Sequence, residues 1–119
     1  MPVEIRAEGK SLLVARVSGT LLRAEMDECQ NALAKMIAAA GKASALVILD
    51  GFQGWERGGQ WGDVSFLMEH DSQIDKMAIV GEEKWRDEVL VFAGDGIRRS
   101  PVRYFTDAAQ ARSWLSGKA

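Results

Sequence analysis

Apolar and polar positions change their spacing several times along the chain, and each change marks an element. Residues 3–7 and 12–17 are rich in β-formers. Glu8-Gly9-Lys10-Ser11 separates them, and the glycine turn predicts a hairpin. Gly19-Thr20 is expected to break the second strand. From 23 to 40 the spacing becomes helical: Met26, Cys29, Leu33, Met36, Ile37 and Ala40 share a face that Asp27, Glu28, Asn31 and Lys35 avoid. Gly41 is the natural stop. Residues 45–49 are continuously apolar and partly β-branched, as in a strand buried on both faces, ending at Asp50-Gly51. A glycine-rich turn follows (Gly51, Gly54, Gly58, Gly59, Gly62), and a second helix is expected over about 59–70. Residues 76–80 read as another buried strand closed by Gly81, and 82–93 as a third helix. Residues 101–105 form the last strand, and Asp107 with Gln110 opens a short final helix ending at Leu115.

The order β-β-α-β-α-β-α-β-α predicts an α/β fold. Its sheet should have five strands, mostly parallel with one antiparallel strand, about four helices and right-handed crossovers. The 119 residues suit one domain able to bury a core. A net charge of −2 and a pI near 5.4 argue against nucleic acid as a partner. The single cysteine, Cys29, excludes an internal disulfide and suits a reducing cytoplasm. No signal peptide or transmembrane segment is legible, so any membrane association is expected to be peripheral.

Several segments together resemble the SpoIIAA-like branch of the STAS family. They are Leu49-Asp50-Gly51-Phe52 with Gly54-Trp55, then Trp61, Asp63 and Phe66, and Met77-Ala78-Ile79-Val80-Gly81 with Lys84-Trp85. Val102-Arg103-Tyr104-Phe105 and Ala108-Ala109, Ala111 and Trp114-Leu115 complete the pattern. The resemblance implies a STAS-type fold, similar also to CRAL-TRIO lipid-binding domains, with hydrophobic ligands and membrane association as expectations. Better-known STAS members antagonise anti-sigma factors and are switched by phosphorylation of a serine just after the third strand. This chain departs from them there: no Ser or Thr lies between Gly51 and Val64, and Trp55-Glu56-Arg57-Gly58 fills the region. Glu56 can at most stand in for a permanent charge.

No nucleophile, base or metal set can be assembled, so no enzyme and no cofactor are expected. His70 stands alone near a helix end, and Cys29 sits on an apolar stripe. Asp50 and Asp63 are an acid pair in principle, though Asp50 also suits a strand-end turn. The glycine-rich turn has neither phosphate-loop pattern and reads as a flexible turn or a small-anion site. Trp85 and Trp114 fall in core stripes, and Trp55 suits either a core cap or a membrane-interface contact. Arg98-Arg99 with Arg103 reads as a solvated basic group or a contact for anionic headgroups. The second and third helices carry apolar residues beyond one packing face, which points to a ligand, membrane or partner. The leading expectation is a non-enzymatic binding domain. It would hold a lipid or other hydrophobic small molecule between those helices, against Trp55, Trp61, Phe66, Leu90 and Val91. The alternative is a STAS-like interaction module that binds a protein partner without phosphorylation, or a homodimer packed on those helices; an enzyme of unknown type is the third reading.

Overall fold

The computed structural model describes residues 3–8, 12–57, 73–92 and 101–116. In chain order they form β1 (Val3–Glu8), β2 (Leu12–Leu21), α1 (Arg23–Ala40), β3 (Ala43–Trp55) and β4 (Ile74–Val80). A 3-10 turn (Glu83–Trp85) then runs into α2 (Arg86–Phe92), followed by β5 (Val102–Phe105) and α3 (Ala108–Leu115). The expected helix over 59–70 lies outside the described residues.

The five strands make one sheet in the order β1-β2-β3-β4-β5. β1 pairs with β2 antiparallel, and every other neighbour is parallel, as the element order predicts. Each parallel crossover steps the same way across the sheet, so crossovers of one hand leave their helices on one face. α1 and α2 obey this. Met26 and Cys29 of α1 and Val89 of α2 pack into one cluster with Val17, Val47 and Ile79 of the sheet. The opposite face presents Val14, Leu46, Ala78 and Val80, which α3 covers with Ala111, Trp114 and Leu115. Strands covered on both faces have no polar side, which explains the unbroken apolar run around Leu46, itself fully buried.

The helix ends follow local rules. Gly41 adopts φ +86° and donates its N–H to the Ile37 carbonyl at 2.7 Å, closing α1. Asp107 accepts the Ala109 N–H at 2.8 Å and opens α3. Trp114 packs its ring 5.8 Å from Phe105, in the structural role its stripe implied. The Arg103 guanidinium lies 5.5 Å over Phe105 and 5.7 Å over Trp114. Arg98 and Arg99 lie outside the described residues.

Three boundaries differ from expectation. β2 passes through Gly19-Thr20 to Leu21, and β3 passes through Asp50-Gly51 to Trp55. The helix expected over 82–93 opens as a 3-10 turn, and its α-helical part begins only at Arg86. Glycines in a strand pattern signal bulges as readily as ends, and here they signal bulges.

One ion pair fastens the end of β1 to the last helix. Arg112 donates to both carboxylate oxygens of Glu8, at 2.8 and 3.1 Å, and Arg6 adds a contact at 2.7 Å. The Arg112 bonds, seconded by Arg6 against partial desolvation, hold the Glu8 carboxyl down at about 2 from an ordinary 4.5. A depressed carboxyl stabilises the fold above its unfolded value and loses that contribution as pH falls through its folded one. The margin of the wild type over Glu8→Gln is therefore expected to be constant above about pH 5, to shrink as pH falls from there, and to lose its ionic part below about pH 2. Thermal melts across that range check it.

Candidate functional site

The carboxyl end of β3 departs from regular strand geometry. Along β2 and β3 the partners run Ser18 with Asp50, Gly19 with Phe52, Thr20 with Gly54 and Leu21 with Trp55. Gly51 and Gln53 are thus extra residues on β3, and the register shifts twice around Gly19. Gly51 takes φ +66° and Gly54 φ +110°, values that a side chain with a Cβ resists. As far as Trp55 the glycine-rich stretch is therefore a doubly bulged strand end and not a flexible turn, while Gly58, Gly59 and Gly62 lie outside the described residues. Bulges bend a strand and re-aim its side chains.

The re-aimed side chains are aromatic. Phe52 is buried, and its ring lies 5.2 Å from Trp55 and 5.0 Å from Trp85, both edge to face. Trp55 and Trp85 meet at 6.1 Å and 84°. A Cβ at Gly54 would make an ordinary contact with Trp85 at 3.7 Å, so its φ of +110° and not a lack of room calls for glycine. The corner belongs to the same core cluster as Leu21 and Val89. Its outer rim is polar: Asp50, Gly51 and Gln53 are exposed. Asp50 sits 3.9 Å from the Arg16 guanidinium.

Beyond Trp55 the chain is tied to α1. The Glu56 N–H donates to the Leu21 carbonyl at 2.9 Å, and the Glu56 carboxylate accepts the Arg23 N–H at 2.8 Å. Glu25, itself buried, accepts the Leu22 N–H at 2.9 Å. Leu22 has no side-chain acceptor, so two glutamates, one of them 33 residues away in sequence, cap the start of α1. Their charge also meets the positive end of the helix. Glu56→Ala is expected to destabilise the fold by about 1 kcal/mol, the usual value of such a cap. Chemical denaturation of both proteins at neutral pH measures the difference.

The structure locates only part of the expected groove. Trp55 lies at the end of β3, half-buried against Phe52 and Trp85, so its core-capping role is visible. Leu90 is half-buried on α2, beside the buried Val89. Trp61, Phe66 and the Val91 side chain lie outside the described residues, as do His70 and Asp63. The Trp85 indole N–H is buried with no acceptor among the described residues. Burial, reinforced by Glu28 and Glu25, pushes the Cys29 thiol up to about 11, so it stays protonated near neutrality and is a poor nucleophile. Among the described residues no group of three His, Cys, Asp or Glu could hold a metal ion. No helix among them is long and apolar enough to cross a membrane.

Sequence reasoning missed two features here. The Glu56 cap joins positions far apart in the chain, so no local signal marks it. The Glu25 cap did leave one, a glutamate three residues after the residue preceding the helix.

The corner and its caps can be set beside known proteins. No curated protein matches the sequence. A solved structure of an uncharacterized protein with a SpoIIAA-like fold, from Shewanella loihica PV-4, superposes with a TM-score of 0.71. The two share 18% identity over 95% of this chain and 91% of that one, a likeness of fold. The SpoIIAA-like family model matches residues 12–116, from β2 through α3, and the chain belongs to the SpoIIAA-like family.

Proposed function

We propose that this domain is a non-enzymatic protein-interaction module. Its contact surface is the bulged end of β3, and it works without a phosphorylation switch at that turn. The supporting observation is the engagement of Glu56. Its carboxylate bonds the first turn of α1 and so is held as part of the fold, in a stretch with no Ser or Thr between Gly51 and Val64 to phosphorylate. Asp50, Gly51 and Gln53 offer an exposed polar rim over a packed aromatic base, which suits a rigid contact surface.

Photo-crosslinking in the native cell tests this reading. A photoreactive residue at Gln53 should yield discrete protein adducts, whereas one at Lys42, exposed between α1 and β3, should not. Equal labelling at both positions, or none at Gln53, overturns it.

A second reading, a domain holding a hydrophobic or lipid-like ligand near Trp55, Trp61, Phe66, Leu90 and Val91, is favoured by the buried indole N–H of Trp85. Organic extraction of protein purified from cells, followed by mass spectrometry, separates the two. A stoichiometric lipid supports the ligand reading. A clean protein mass with no uptake of fatty acid or phospholipid removes it.

A further inference from the structure

Among the described residues nothing pairs with the outer edge of β1, and that edge and the flank of α1 beside it carry a charge pattern that complements itself. β1 ends the sheet, and its six residues pair with β2 without a register shift. It thus offers a regular outer edge unbroken by bulge or proline. Glu4 and Arg6 are exposed on one face of the strand, while Ile5 and Ala7 alternate to the other. That second face borders an apolar groove floored by Leu13, Ala32 and Met36, with Lys35 on its rim. Glu28 lies two turns before Lys35 on the same stripe of α1, and both are exposed.

We infer that this edge pairs with the same edge of a second copy of the chain, about a twofold axis perpendicular to the sheet at Ile5. Antiparallel pairing centred on Ile5 sets each Glu4 opposite the partner copy's Arg6, which would share its guanidinium between that carboxylate and the Glu8 of its own chain at 2.7 Å. Centred on Arg6, the register opposes Glu4 to Glu8, and centred on Glu4 it opposes Glu4 to itself; centred on Ala7 it opposes Arg6 to Glu8, whose carboxylate Arg112 already holds. The two α1 helices then flank the axis antiparallel to each other. Ile5 packs against the core cluster that Met26 and Cys29 join and also against the one that Ala32 and Met36 join, so the axis passes near the level of residues 29–32 of α1. Glu28 and Lys35 fall on either side of that level, and each faces its opposite charge across the axis. One symmetry operation satisfies both charge sets, which is the mark of an isologous contact and not of a surface for an arbitrary acidic or basic partner. The contact lies on the β1 edge, apart from the β3 corner, and stands or falls independently of it.

Two short edges and two helix flanks make a small interface, so association is expected to be weak and concentration-dependent. Sedimentation velocity from micromolar to roughly 1 mM protein measures it. The wild type should dimerise in that range. Glu28→Lys or Lys35→Glu alone should weaken dimerisation at least about tenfold, because each creates two like-charge contacts. The double exchange Glu28→Lys/Lys35→Glu should restore it. Glu4→Lys, Arg6→Glu and their double exchange should behave alike, with circular dichroism confirming that each variant is folded. A wild type that stays monomeric throughout overturns the inference, as does a dimer indifferent to all the single exchanges.

Discussion

Replacing Phe52 with alanine is expected to destabilise this domain by about 3–5 kcal/mol, the usual cost of deleting a buried aromatic. The residue is small in sequence terms, one apolar position among glycines. Its ring, however, is the contact shared by Trp55 and Trp85, at 5.2 and 5.0 Å. Removing it takes away two edge-to-face pairs and opens a void that strands held by their ladders cannot close. The thermal midpoint should fall by well over 10 °C, since a domain of this size loses a few degrees per kcal/mol. Tryptophan emission gives a local readout: both indoles should shift to the red as water reaches them. Phe52→Leu keeps most of the volume and should cost about half as much or less. Gln53→Ala, next door but exposed, should change stability by less than about 0.5 kcal/mol. A small loss in Phe52→Ala, with unmoved emission, would mean the corner is not packed as the rings indicate.

The second large effect belongs to Gly81, which ends β4 without any unusual backbone angle. A Cβ at this position would lie 2.5 Å from the Tyr104 hydroxyl oxygen and 3.1 Å from the Leu49 side chain. The glycine is required by close approach. Tyr104 cannot simply swing aside, because its hydroxyl donates to the Glu82 carbonyl one residue further on. Gly81→Ala should therefore cost about 1–3 kcal/mol, in the range of an overpacked site. The cause is separable by a double-mutant cycle. Tyr104→Phe removes the oxygen that the new methyl meets, so Gly81→Ala should cost clearly less in that background. Equal costs in both backgrounds would locate the strain at Leu49 instead.

Both predictions concern residues whose identity was readable and whose reason was not. Phe52, Gly54 and Trp55 stood out beside one another in the chain, yet the glycines argued for a flexible turn. The structure spends them on two bulges that keep the strand going. Gly81 read as a strand-end stop, and only the arrival of β5 beside β4 puts a tyrosine hydroxyl where its side chain would be.

The sequence by itself determined the sheet and the places of α1, α2 and α3. Periods of two and of three to four residues are local, so continuous apolar runs marked β3 and β4, and an apolar stripe with a glycine stop marked α1. The alternation of these elements implied a mostly parallel sheet with one antiparallel edge, and five strands in that arrangement are observed. The ends of β2 and β3, the Glu56 cap of α1 and the aromatic corner were settled by tertiary structure alone. Each depends on a partner far away in the chain: Gly19 for the bulges at Gly51 and Gln53, Glu56 for Arg23, Trp85 for Phe52. A glycine has the same backbone freedom in a turn as in a bulge. Which of the two it makes is decided by whether a neighbouring strand continues alongside to take up its hydrogen bonds, and here β2 does, as far as Leu21.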